Sequence, residues 1–201
     1  MHYSIQHCGI VIIAAGESKR LGTPKQLLVY EGKTLINRLI DIVKITGSYP
    51  ITIVLGANAE KIQSQLTETD LHIVYNSQWE EGMASSISLG VEMATKNFDH
   101  LDGIMILVCD QPHINTNNIH SLIELQRQTK LPIAACYYEN ILGTPALFHQ
   151  SLFADLMSLK GDIGAKKLIK LREEEVAKLH FNKGILDIDT MEDYKFLLKG
   201  A

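Results

Sequence analysis

Gly9-Ile10-Val11-Ile12-Ile13-Ala14-Ala15-Gly16-Glu17-Ser18-Lys19-Arg20-Leu21-Gly22-Thr23-Pro24-Lys25 is the stretch on which the reading of this chain turns. Gly9–Ala15 is an unbroken apolar run rich in Ile, which predicts a strand buried on both faces. It ends at Gly16 and opens a loop holding Lys19, Arg20 and Lys25. In parallel α/β sheets, ligands bind outside the carboxyl ends of strands, so the loop is placed for a site. Gly16 and Gly22 allow backbone to approach a ligand closely. Successive N–H groups in a tight loop form a concavity for anions, and Arg20 has the fork that grips phosphate. Thr23 and Pro24 separate Gly22 from Lys25, so this is not a P-loop, and no G-x-G-x-x-G fingerprint is present. A solvated surface loop is the other reading of the same residues.

Working outward, the chain alternates apolar runs with amphipathic stretches. Thr34–Thr46 carries Leu35, Ile36, Leu39, Ile40, Ile42 and Val43 at helical spacing. Thr34 is its predicted N-cap, and Gly47 closes it. Strands are predicted at Ile51–Leu55, Leu71–Tyr75, Gly103–Cys109 and Pro132–Tyr137, with helices at Asn58–Leu66, Met83–Lys96 and Asn115–Thr129. Beyond Glu139 the pattern loosens. A strand is predicted at Ala146–His149, helices at Leu152–Leu159 and Ala165–Glu175, a strand at Val176–His180 and a last helix at Thr190–Lys199. Alternation of this kind predicts an α/β fold, a Rossmann-like three-layer α/β/α arrangement with a mostly parallel sheet. With no Pro/Gly/Ser linker and no repeat, residues 1–201 read as a single domain.

Composition bounds the function. The 201 residues are 46% hydrophobic and 21% charged, which excludes wholesale disorder. The net charge of −4 argues against a nucleic-acid partner, which wants a basic face. It does not exclude a small anion, because Lys19, Arg20 and Lys25 oppose only Glu17 in the loop. Cys8, Cys109 and Cys136 are scattered with no zinc spacing, and their usual role is as small core residues. This suits a reducing cytoplasm. We expect no signal peptide, since the N-terminus lacks a basic region before a long apolar run. No membrane association is expected, because no apolar stretch approaches the roughly 18–20 residues of a span.

Four further segments carry polar residues at strand ends. Asn76-Ser77-Gln78-Trp79-Glu80-Glu81-Gly82-Met83-Ala84-Ser85-Ser86 opens a helix, where an anion or base edge is received, or where a helix is merely capped. Asp110, in Cys109-Asp110-Gln111-Pro112, leaves a buried strand at its carboxyl end, a standard place for a Mg²⁺ ligand, unless it only caps a turn. Gly161-Asp162-Ile163-Gly164-Ala165-Lys166 reads equally as a motif or as a helix start capped by Asp162. Asp187 and Asp189 lie at i and i+2 on an extended segment and point to one side, although Asp189 or Thr190 also suits an N-cap.

These residues also resemble a family. Ala14–Lys25 is similar to the A-A-G-x-S-x-R-M-G-x-x-K signature of MobA-like nucleotidyltransferases, with Leu21 in place of Met. The run Pro24–Leu28, PKQLL, resembles the molybdenum cofactor cytidylyltransferases most. Later segments match in order: N-x-x-W-x-x-G-M-x-x-S, D-Q-P, G-H-P-x-L-F with Thr144 for His, G-D-x-G-A-R with Lys166 for Arg, and D-I-D-T-P-E-D-Y with Met191 for Pro. Gly143 and Pro145 then suit a tight turn near the acceptor.

The resemblance implies the nucleotide-diphospho-sugar transferase type of fold. It implies transfer of CMP from CTP to a molybdopterin-type molybdenum cofactor, with release of pyrophosphate. Arg20, Lys25 and Asp110 would be catalytic. Ala14, Ala15, Gly16, Ser18, Lys19 and Lys25, with Gly82 and Ser86, would bind the nucleotide. Asp110 and Asp189 would hold Mg²⁺, or Mn²⁺ in its place, with Asp187 as the alternative second ligand. The partner beyond the two substrates would be a molybdenum hydroxylase apoenzyme of the xanthine dehydrogenase type. GTP as donor, another phosphorylated acceptor, and a cofactor-delivery chaperone are the competing readings.

Overall fold

The structure, a computed structural model, describes residues 3–47 and 49–200. Its first strand, β1 (Cys8–Ala14), is buried at every position. A small hairpin follows, β2 (Val29–Tyr30) and β3 (Lys33–Thr34), and then α1 (Leu35–Thr46). Next come β4 (Ile51–Leu55), α2 (Ala59–Gln63), β5 (His72–Tyr75), α3 (Met83–Asn97) and β6 (Gly103–Val108). Then α4 (Thr116–Thr129), β7 (Ile133–Tyr138), β8 (Ile141–His149), α5 (Phe153–Met157), α6 (Ala165–Leu171), β9 (Val176–His180) and α7 (Met191–Leu198) complete the chain.

Seven strands form one sheet in the order β5-β4-β1-β6-β8-β7-β9. Only β8 runs against the others, pairing antiparallel with β6 and β7. The expected mostly parallel, three-layer fold is therefore present. Strands with apolar residues on both faces are what such a sheet requires. In β1, Ile10, Ile12 and Ala14 join the core under α1 and α4, while Val11 and Ile13 join the core under α3, α5 and α6. Met105 and Leu107 of β6 face the first core, and Ile104 and Ile106 the second. Cys8, Cys109 and Cys136 are unpaired and buried. Burial pushes the Cys8 thiol up to about 12, so these are packing residues. No helix among the described residues is long and apolar enough to cross a membrane.

A third, smaller core decides where the site forms. Leu21 and Leu28 from the loop after β1 pack with Leu35, Ile188 and Leu197. The first loop and the segment before α7 are thereby held together. Ile188 also donates its N–H to the carbonyl of Asp110 at 2.9 Å, which places Asp187 and Asp189 on either side of that bond.

The structure corrects several boundaries. The strand expected at Ala146–His149 begins at Ile141. The pairing between β7 and β8 jumps from Ala135–Ala146 to Cys136–Gly143, so Thr144 and Pro145 sit in a bulge. Proline has no N–H for the ladder and is tolerated there. Gly143 and Pro145 thus lie within a strand, not in a tight turn. The helix expected at Ala165–Glu175 ends at Leu171, and Glu173–Glu175 form a separate 3₁₀ turn. Three adjacent glutamates oppose the negative C-terminal end of a helix. Asp162 caps nothing: the residue preceding α6 is Gly164, with no side-chain cap. The β2–β3 hairpin was not expected. Its turn residues Glu31 and Gly32 have φ of 50° and 80°, the left-handed pair that a two-residue hairpin loop uses.

Candidate active site

The carboxyl ends of β1, β4 and β6 lie side by side, since β1 pairs with both neighbours in parallel. The β1 and β6 ends release their chains into the site, and the chain after β5 supplies Trp79, Gly82 and Ser86. The β1 exit is held by Gln26, a buried side chain whose Nε2 donates to the carbonyls of Ala14 and Gly16 at 2.9 and 3.1 Å. Beyond Gly16 the backbone folds back through Ser18, at φ 61°, and Gly22, at φ 68°. Ser18 Oγ accepts the N–H of Lys25 at 3.0 Å, closing the loop on itself.

A cleft of about 640 Å³ opens over this loop. Ala15, Gly16, Ser18 and Lys19 line one side, and Gly82 and Ser86 the other, with Trp79 and Asp162. Six of the residues expected to bind nucleotide thus meet in one place. Nothing of the protein lies within 4 Å of where a Cβ on Gly16 would point. Gly82 is different: its φ is 105°, and a Cβ there would fall 2.5 Å from Asp162 Oδ1. Ser86 is buried, and its Oγ accepts from Asn76 Nδ2 at 2.9 Å. Trp79 packs over Gly56, where a Cβ would come within 2.7 Å of its Cβ. Ala14 does not line the cleft. It is buried in β1 and contributes its carbonyl to Gln26.

Beside the cleft stands a chain of charges. Lys25 Nζ lies 2.7 Å from Asp110 Oδ2 and 2.9 Å from Asp189 Oδ1. Arg20 Nη2 lies 2.9 Å from Asp189 Oδ2. Arg20, Lys25, Asp110 and Asp189 are thus brought into one network from three parts of the chain. The Lys25 side chain is only 15% exposed. Its burial favours the neutral amine, but the Asp110 charge and the bonds to both carboxylates outweigh it and hold its pKa above the ordinary value. Asp189 behaves conversely: burial alone would raise its pKa, but the bonds and charges of Lys25 and Arg20 hold it below the usual carboxylate range. Thr190, not Asp189, caps α7 through a reciprocal pair with Asp193, which leaves the Asp189 carboxylate to Lys25 and Arg20. Asp187 is pushed up to about 6 by burial, and then by the Asp110 charge, while Lys166 and Lys25 act against the rise.

The carboxylates of this network suit a divalent cation. Asp110 Oδ1 and Asp187 Oδ1 are buried with no hydrogen-bond partner. Buried carboxylate oxygens without partners are costly, and a cation relieves them. Among the described residues no group of three or more His, Cys, Asp or Glu is arranged to hold a metal. The residues therefore fit an ion held by one or two carboxylates and completed by substrate phosphates, which is the habit of Mg²⁺.

Three residues that hold the site were not singled out from the sequence. Gln26 lay in the quoted PKQLL run and Asn76 headed the Asn76–Ser86 segment, but neither residue type signals a carbonyl clamp or a hydroxyl anchor. Asp162, an N-cap in one of the two readings of its segment, lies instead against Gly82.

An α/β sheet with a glycine-turned cationic loop and strand-end carboxylates defines a nucleotide-handling transferase. The chain belongs to the family of the MobA-like NTP transferase domain, whose model matches residues 10–177. Nucleotidyl transfer is that family's chemistry. Among relatives, nicotine blue oxidoreductase of Paenarthrobacter nicotinovorans is 30% identical, covering 94% of this chain and 95% of its own. A probable molybdenum cofactor guanylyltransferase of Rhodopirellula baltica is 27% identical over 61% of this chain and 57% of its own. The structure of Rv0371c from Mycobacterium tuberculosis H37Rv superposes with a TM-score of 0.85 at 28% identity, covering 98% of this chain and all of that one.

Proposed function

We propose that this protein transfers CMP from CTP to the phosphate of a molybdopterin-type molybdenum cofactor, with Mg²⁺, and releases pyrophosphate. The observation that carries the reading is Lys25, held at 2.7 and 2.9 Å between Asp110 and Asp189 beside the glycine-lined cleft. An acceptor phosphate oxygen attacks the α-phosphorus. The new P–O–P bond forms as the α–β bridging bond breaks, and the electron pair leaves with pyrophosphate. The attacking oxygen is already ionised, so no protein base is needed. Catalysis is positioning and charge stabilisation.

The Gly16–Lys19 backbone and Arg20 receive the β- and γ-phosphates. Lys25 offsets charge at the α-phosphate and the attacking oxygen. Asp110 and Asp189 would hold Mg²⁺, with Asp187 as the alternative to Asp189 and Mn²⁺ as the substitute ion. When bound, the ion would supply positive charge against the phosphates and the leaving pyrophosphate. The cleft between Gly16 and Ser86 takes the nucleoside. The loop has no dinucleotide fingerprint, which supports nucleotidyl transfer over nicotinamide redox chemistry.

CTP is favoured by the PKQLL run, and GTP is the second reading, favoured by the guanylyltransferase relative. Delivery of the product to a molybdenum hydroxylase apoenzyme is compatible with either donor. The test is pyrophosphate release from each of the four nucleoside triphosphates with Mg²⁺ and molybdenum cofactor. Release with CTP alone is expected. Release with GTP alone replaces the donor, and no release with any donor overturns the acceptor.

A further inference from the structure

Of the segments that the sequence singled out, Gly161–Lys166 contributes only Asp162 to the donor cleft. Lys166 itself lies elsewhere. It sits in the first turn of α6, and its side chain runs across β8 at the bulge. A Cβ on Gly143 would fall 3.1 Å from Lys166 Cε and 2.5 Å from Tyr138 Oη. Only glycine at 143 lets the lysine stem and the tyrosine ring approach the strand in this way. Tyr138 leads back to the carboxylates: its hydroxyl is 3.5 Å from Nε2 of Gln111, the residue after Asp110.

Lys166 and Lys170, one turn apart, line a cleft of about 270 Å³ with Asn140, Ile141, Leu142 and Glu173. Among the described residues neither lysine is in an ion pair or a hydrogen bond. Glu173 is engaged by Lys178 at 2.8 Å. This cleft therefore has two ammonium groups without a direct carboxylate contact, with Lys166 acting on Asp187 and Lys170 on Glu173 only at longer range, and an exposed Ile141 at its rim.

The two clefts share no lining residue. Transfer at phosphorus is roughly in line, so the acceptor enters on the side away from the leaving pyrophosphate. The donor cleft takes the loop after β1, and the β8–α6 cleft is linked to the Asp110 segment through Lys166, Tyr138 and Gln111. We infer that Lys166 binds the anionic phosphate of the acceptor, with Lys170 behind it and the pterin-type body against Ile141 and Leu142. This rests on the acceptor class proposed above and assigns the side from which it enters.

The test uses a stable oxidised pterin phosphate and its dephosphorylated counterpart as fluorescent probes, titrated against the full chain. Lys166→Gln is expected to weaken pterin phosphate binding about ten- to hundredfold, the range for one charged hydrogen bond. Binding of the dephosphorylated probe and of CTP stays at wild-type affinity, and Lys166→Arg restores the phosphate probe. Equal pterin phosphate affinity in wild type and Lys166→Gln overturns the assignment. So does an equal loss of CTP affinity, or a wild type that does not bind the probe. Pyrophosphate release by the wild type with CTP and molybdenum cofactor is read separately. Its absence overturns the acceptor, while the titration still decides Lys166.

Discussion

The cleft over the first loop and the charge network are neighbours built in opposite ways. The cleft is made of main chain and small residues: Gly16 facing open space, Ser18 in a left-handed turn, Gly82 against Asp162. The network is made of long side chains from Arg20, Lys25, Asp110 and Asp189, whose partners lie 85 to 169 residues apart. A wall of backbone is spoiled by adding atoms. A network of side chains is spoiled by removing them. The first failure shows in folding and nucleotide affinity, the second in turnover.

Variants can test that contrast, beginning with the largest effect. Lys25→Ala and Asp110→Ala each remove one electrostatic contact, so turnover falls on the order of 10²–10³-fold. Pyrophosphate release measured alongside the melting temperature separates chemistry from folding, and near-normal turnover in a folded variant would remove both residues from the mechanism. Gly82→Ala adds one atom to the other region. At φ 105° and ψ 177° the backbone is in a region almost reserved for glycine, and the substitution costs about 1–3 kcal/mol before the contact with Asp162 is added. A lowered melting temperature together with weaker CTP binding is expected. Unchanged values for both would show that the cleft wall yields.

Lys25→Met sharpens the network itself. It leaves Asp110 and Asp189 without the cation between them, so Mn²⁺ binding without nucleotide tightens on the order of tenfold, about 1.4 kcal/mol. Electron paramagnetic resonance of free Mn²⁺ reads this directly, and weaker binding in the variant would contradict it. Gln26→Ala cuts the clamp on the carbonyls of Ala14 and Gly16. Loss of a buried hydrogen-bonding group costs about 1–3 kcal/mol, read as a lower melting temperature and a raised KM for the nucleotide. Thr190→Ala gives the smallest change, about 1 kcal/mol for a lost N-cap.

The same contrast governs what the sequence discloses. Strands β1, β4 and β6 were legible because both faces are buried and the apolar runs are continuous. Thr34 and Gly47 marked α1 correctly through local chemistry. The first half of β8 was hidden by Gly143-Thr144-Pro145, residues unfavourable to strands that a bulge absorbs. The two-residue strands of the β2–β3 hairpin are too short to show a period. In the site, Arg20, Lys25, Asp110 and Asp189 were legible singly by residue type and by position at strand ends. Their direct pairing was not, because nothing local encodes a contact between residues 25 and 189. Gln26, Asn76 and Asp162 act through backbone carbonyls, a hydroxyl and close approach to a glycine, and such contacts leave no distinctive spacing.

The small core of Leu21, Leu28, Leu35, Ile188 and Leu197 works as a latch between the loop after β1 and the segment around α7. Arg20 and Lys25 meet Asp189 only while that latch is closed. The strand pairings of the sheet hold none of these contacts, so the pairing of the charges reports the docking of α7 and not the folding of the sheet.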